Sequence, residues 1–154
     1  AASAPLPAVG ATVLYPGRNV LIVDFGTAVT IDLVTADNTF RGGCISPGMK
    51  TRFRALHDYT ACLPLCGPTE SGELQGLTTE EAIRLGVMNS LTFEIESYMA
   101  RMEKKIDDLC VIFTGGDAKY FAKRIKNTIF ANCNLVFCGL DRILEYNASE
   151  EHLD

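Results

Sequence analysis

No stretch of this sequence comes near the ~18 consecutive apolar residues that a membrane span requires, since Val20-Leu21-Ile22-Val23 runs straight into Asp24. The N-terminus also lacks a basic segment followed by a long apolar one, the mark of a secretory leader. Positive charge is scarce too: 14 Lys and Arg stand against 19 Asp and Glu, a net charge of −5. A duplex-binding surface needs concentrated cations to displace counterions, so nucleic acid is not an expected partner. The densest basic stretches, Lys50/Arg52/Arg54 and Lys119/Lys123/Arg124/Lys126, fall in segments of helical periodicity and read as solvated helix faces. The six cysteines form no C-x-x-C pair. Cys44, Cys110 and Cys138 lie in apolar, strand-like runs, where a thiol behaves as a small hydrophobe. His57, Cys62 and Cys66 match no closed four-ligand zinc spacing. These absences predict a soluble, cytoplasmic protein without a membrane partner.

What is present fits one globular domain: 154 residues, 47% hydrophobic and 21% charged. Residues 1–19 read as a lead-in without periodicity, ending in the Tyr15-Pro16-Gly17 turn. Val20–Asp24, Ala28–Val34 and Thr39–Ile45 are strand-like and separated by short turns, which predicts a three-stranded antiparallel meander. Ser46-Pro47-Gly48 ends it and opens a helix of roughly ten residues from Met49. Cys62–Gly76 is a polar loop long enough to be functional. Thr78-Thr79-Glu80-Glu81 has the form of a capping box, and Ile83, Val87, Leu91, Ile95, Tyr98 and Met102 continue it as one apolar face. Leu109–Phe113 reads as a doubly buried strand, Ala118–Lys126 as a helix, Leu135–Cys138 as a strand and Leu140–Tyr146 as a last helix. A meander followed by strand–helix crossovers makes an α/β fold, a mixed sheet with helices on both faces.

Three glycine-bearing turns directly follow strands: Asp24-Phe25-Gly26-Thr27, Gly42-Gly43 through Pro47-Gly48, and Thr114-Gly115-Gly116-Asp117. Ligands of α/β sheets gather at strand ends, where glycine lets backbone amides approach a phosphate. Singly, each turn has a bland reading. Asp24 can bond the amides of its own turn, and Asp117 can be the N-cap of the following helix.

In their order and spacing, these segments resemble type III pantothenate kinases, members of the actin-like ATPase and sugar kinase superfamily. The resembling stretches are Asp24-Phe25-Gly26-Thr27-Ala28-Val29-Thr30-Ile31-Asp32, Phe40-Arg41-Gly42-Gly43-Cys44-Ile45-Ser46-Pro47-Gly48, and Ala55-Leu56 through Thr60-Ala61-Cys62-Leu63-Pro64. Thr79 with Ala82-Ile83 and Gly86, then Thr114-Gly115-Gly116-Asp117-Ala118, complete the match, which runs from about Val20 to Asn147. The resemblance implies a ribonuclease H-like half of an actin-like ATPase fold over residues 20–147, with a tail over 148–154. It implies ATP-dependent phosphorylation of pantothenate, the first step of coenzyme A biosynthesis, with ATP, Mg2+ and an activating K+ or NH4+. By the same resemblance Asp24 holds the monovalent cation, and Thr27 with Gly26 meets the ATP phosphates. Thr114, Gly115 and Gly116 face the nucleoside, and Thr79 binds pantothenate. Asp32 is placed to reach magnesium through water or, equally, to be a solvent-facing strand carboxylate.

The departures from the family pattern matter as much. The family's other half opens with a D-x-G-N-T-like phosphate turn, and no second such turn occurs here. Its general base is an aspartate in a G-x-D-R segment. If Val9-Gly10-Ala11 matches the V-G-A that follows that segment, Ser3 and Ala4 stand at the aspartate and arginine positions. No catalytic base is therefore assigned, and the chain is expected to represent the second half only, inactive by itself. Family members are dimers, so a homodimer through the long helix is expected. Two alternatives are a non-catalytic regulatory or transcriptional accessory protein of the same fold, and an actin-like relative with another small substrate.

Overall fold

The computed structural model describes residues 5–125, 129–131 and 139–141. Among these described residues the elements α1 (Leu6–Leu14), β1 (Asn19–Phe25), β2 (Ala28–Val34), β3 (Phe40–Pro47), α2 (Met49–Asp58), α3 (Thr79–Glu103), β4 (Leu109–Thr114), α4 (Ala118–Ala122) and β5 (Ile129–Ala131) follow in chain order. Leu135–Cys138, the tail over 148–154 and most of the last expected helix lie outside the described residues. Residues 139–141 are helical.

The meander forms as expected: β1 pairs antiparallel with β2, and β2 with β3. β4 then joins β1 in parallel and β5 joins β4 in parallel, giving the order β3-β2-β1-β4-β5. Such a mixed sheet needs cover on both faces, and alternation along each strand provides it. Leu21, Val23, Phe25, Val29, Ile31, Val111 and Phe113 face one side and pack with α2, α3 and α4. Val20, Ile22, Val34, Cys110 and Ile112 face the other and pack against Ala8 and Ala11 of α1.

α1 is a departure from the sequence reading, which gave this stretch no periodicity. Pro sits where a helix start tolerates it. Ala8 and Ala11 are then small enough to seat the helix directly on the sheet, so burial rather than amphipathicity decides it. α3 forms over 25 residues with both halves of the capping box at Thr78 and Glu81. Its buried face is wider than the expected stripe, adding Leu85, Met88, Thr92 and Met99, because it lies across the sheet with α2 on its flank. Fully burying a side chain such as Leu91 or Ile95 contributes roughly 1.5–3 kcal/mol, so α3 anchors this layer.

Two other expectations change. Cys44 is exposed, because β3 is an edge strand with little cover. The basic stretches are only partly solvated: Arg52 is 18% exposed and pairs with Glu94, which also accepts from Ser46 at 2.6 Å. Arg124 donates to the carbonyls of Thr69 and Ser71, both at 2.7 Å, and to Asn89. Those bonds hold the loop over residues 62–76 against α3 and α4. Among the described residues, no helix is long and apolar enough to cross a membrane.

Candidate active site

Strand register assembles the site. Asp24 of β1 stands opposite Thr30 of β2 and Thr114 of β4, so three adjacent strands place one row of polar side chains on one face. Asp32 lies one row further in, opposite Ile22. Beyond it the same face turns apolar at Val20, Val34, Ile112 and Cys110, where α1 covers it. Asp24 and Thr30 are half-buried, while Asp32 and Thr114 are buried. A polar strip therefore lies along the end of the sheet where β1 and β4 finish, the end at which α/β sheets bind ligands.

Asp32 is not solvent-facing: it is 6% exposed and accepts from the Thr30 hydroxyl at 3.1 Å. Burial pushes its carboxyl above the ordinary range, the Thr30 bond opposes that, and the charge of Asp24 adds to it. Burial likewise raises Asp24. Two desolvated carboxylates that repel each other gain from a positive charge nearby. Asp24 and Asp32, with the Thr30 hydroxyl bonded to Asp32, offer oxygen donors alone on this face, the chemistry that suits a hard cation. No group of three or more Asp, Glu, His or Cys able to hold a metal occurs among the described residues. A magnesium ion here would draw its remaining ligands from water and phosphate, as that ion commonly does.

The glycines have steric reasons. At Gly43 a Cβ would collide with the Asp32 carboxylate and lie 2.6 Å from the Ile31 carbonyl. Gly115 has φ +93, and a Cβ there would run into Asp24 and sit 2.6 Å from the Phe25 amide and carbonyl. The Asp24 and Gly115 turns are thus packed backbone to backbone, further tied by the Asp117 amide donating to the Phe25 carbonyl at 3.1 Å. On the opposite face the Phe25 ring meets Phe113 edge-on at 4.8 Å and stacks on Phe121 at 4.7 Å, which fixes the turn from below. Gly26 is half-buried, while Thr27 and Gly116 are exposed, so their amides and the Thr27 hydroxyl border solvent on this edge.

The structure thus brings Asp24, Gly26, Thr27, Thr114, Gly115 and Gly116 to adjoining turns. Thr79 opens α3 at an exposed position, and no hydrogen bond or ion pair among the described residues links it to that cluster. Asp117 is the N-cap of α4 by position but makes no side-chain capping bond; its buried carboxylate pairs with Lys50 at 3.1 Å. Sequence reading missed that pair, which joins residues 67 positions apart and leaves no local signal. Thr30 and Asp32, two apart on β2, share a face, which lets the Thr30 hydroxyl reach the carboxylate. The His57 Nδ1 lies 2.8 Å from the Leu63 carbonyl, which ties the end of α2 to the following loop.

The chain is similar to several known proteins. A family model described as type III pantothenate kinase matches residues 6–101. Type III pantothenate kinases of Christiangramia forsetii and Flavobacterium psychrophilum are 45% and 44% identical over 136 and 137 residues, covering 88% and 89% of this chain. Those alignments take in 56% and 57% of the relatives, so the chain spans just over half of their length. Among solved structures, a protein of Campylobacter jejuni described as a conserved Baf family transcriptional activator superposes with a TM-score of 0.67 at 21% identity, covering 94% of this chain and 65% of that one. The activator of 2-hydroxyisocaproyl-CoA dehydratase from Clostridium difficile, solved with bound ADPNP, gives 0.55 at 14% identity, covering 97% and 68%. At these identities the structural likeness establishes the fold, that of the actin-like ATPases.

Proposed function

This chain belongs to the type III pantothenate kinase family, and we propose that the protein containing it transfers the γ-phosphoryl group of ATP to pantothenate. The observation that carries the reading is the polar row Thr30–Asp24–Thr114 flanked by two glycine turns in backbone contact. In this reading the amides around Gly26 and the Thr27 hydroxyl donate to phosphate oxygens, where charge shifts during transfer. Thr114, Gly115 and Gly116 support the nucleoside, and Asp24 holds an activating K+ or NH4+. Asp32 reaches magnesium through water, and magnesium supplies charge neutralisation to the phosphates. Thr79, beside the open amides at the start of α3, takes the pantothenate carboxylate. The acceptor hydroxyl attacks the γ-phosphorus as the bond to the β-phosphate oxygen breaks. The base that takes its proton is assigned to no residue of this chain. The reaction opens coenzyme A biosynthesis and takes place in the cytoplasm. Two copies associate through α3.

The test is pantothenate-dependent ADP release by the full-length protein, with 4'-phosphopantothenate identified by mass. The 154-residue chain alone should release none, since positioning and charge stabilisation carry phosphoryl transfer and the chain holds one of the two phosphate turns. A regulatory reading has one observation in its favour, the description of the Campylobacter jejuni neighbour as a transcriptional activator. A full-length protein that binds ATP yet turns over no pantothenate would favour it.

A further inference from the structure

The first turn of α2 touches both glycine turns of the candidate site. The Gly48 amide and the Thr51 hydroxyl both donate to the Thr27 carbonyl, at 2.9 and 2.7 Å. Gly48 is pressed so closely on the other turn residue that a Cβ would collide with the Gly26 carbonyl. One residue away, the Lys50 ammonium meets the Asp117 carboxylate at 3.1 Å, with Lys50 77% exposed and Asp117 only 7%. The Asp117 amide in turn holds the Phe25 carbonyl. A carboxylate this buried needs a partner, and among the described ion pairs Lys50 is the one that meets it. No local periodicity requires a lysine there, and its exposed stem gains little from packing.

We propose that Lys50 is a positioning residue, which through Asp117, and together with Thr51, sets the spacing between the phosphate turn at Gly26-Thr27 and the nucleoside turn at Thr114–Gly116. The proposal rests on the reading that these turns hold ATP. A nucleotide spanning both turns binds only as well as their separation matches it, so slack in the clamp weakens nucleotide and leaves pantothenate alone. Lys50 acts on the turn and not on the ligand.

The experiment measures binding of the non-hydrolysable analogue ADPNP with Mg2+ to the full-length protein, by calorimetry, alongside the KM values for ATP and pantothenate. Lys50→Met should weaken ADPNP by roughly three- to tenfold, with a matching rise in KM for ATP and an unchanged KM for pantothenate. Lys50→Arg should restore most of the affinity. Asp117→Asn, which keeps the shape of the buried group, should reproduce the loss, and the double variant should be no worse than either single one. Additive losses in the double variant would mean that Lys50 contacts the nucleotide directly, and would overturn the proposal. Unchanged ADPNP affinity in Lys50→Met would overturn it while leaving the kinase reading in place. A parent protein that binds no ADPNP would overturn both.

Discussion

The Asp24 carboxylate occupies the space that a side chain at Gly115 would need. Two turns about 90 residues apart in sequence therefore share one volume, and the left-handed backbone at Gly115, φ +93, keeps the second turn clear of the first. Gly115→Ala adds both a disfavoured φ and a collision with the β1 turn. The expected cost is about 2–4 kcal/mol of stability, together with a loss of nucleotide affinity. Denaturant unfolding of the variant checks the first part. A midpoint equal to the parent's would mean that the two turns are free to part.

Asp32 leads to a prediction with a definite sign. Burial is the main cause that raises its carboxyl above the ordinary value. The folded chain thus holds this proton more tightly than the unfolded chain does. Its contribution to stability is intact below the unfolded value of about 3.8 and falls as pH rises through the folded one. Asp32→Asn removes the buried charge and keeps an oxygen for the Thr30 hydroxyl. At neutral pH the variant should therefore melt higher, by roughly 2–4 °C, a gain common when a site residue is relieved of its function. The gain should shrink in melts run near pH 4. A difference that stays the same at both pH values would remove burial of the charge as its cause.

These two sites also show what the sequence made legible. The apolar run of β1, the β-branched run of β2 and the capping box before α3 are local signals, and these three elements formed within a residue or two of their expected bounds, whereas α4 ends at Ala122, short of the expected Lys126, and the strand β5 was not expected. The burial of Asp32 and of Asp117 left no local trace: the first depends on strand register beside Ile22 and Gly43, the second on a pairing with Lys50 of α2. Neither is encoded within a few residues of the carboxylate. α1 was missed because its stability comes from Ala8 and Ala11 seating on Val20, Ile22 and Ile112, a contact of small residues with a weak periodic trace. Arg52 and Arg124 read as solvated because helical periodicity identifies a face but not what lies opposite it.

Asp24 carries the cation prediction. In the full-length protein, Asp24→Asn should abolish activation by K+ or NH4+ and leave the fold intact, because the side chain is half-buried and its shape is kept. Its own carboxyl is raised by burial, so loss of the charge should not lower the melting temperature in cation-free buffer. Initial rates measured across a potassium series check the assignment. A variant whose rate climbs with potassium as steeply as the parent's would place the cation elsewhere.

Thr79 separates a pantothenate site from a nucleotide site of any other kind. The cap of α3 is Thr78, whose hydroxyl accepts from the Glu81 amide at 3.2 Å while the Glu81 carboxylate accepts from the Leu77 and Thr78 amides. Thr79 takes no part in that box, so Thr79→Val should leave the helix and its stability almost unchanged. Its exposed hydroxyl stands where a helix start favours an anion. If it bonds the pantothenate carboxylate, its loss costs on the order of 1.5–3 kcal/mol, roughly ten- to a hundredfold in affinity. ATP affinity should be unaltered, since among the described residues Thr79 has no bond to the turns around Asp24 and Gly115. Calorimetry of the full-length variant with each ligand decides the matter. Pantothenate binding at the parent's strength would return Thr79 to the role of an ordinary first-turn residue and move the acceptor site away from the start of α3.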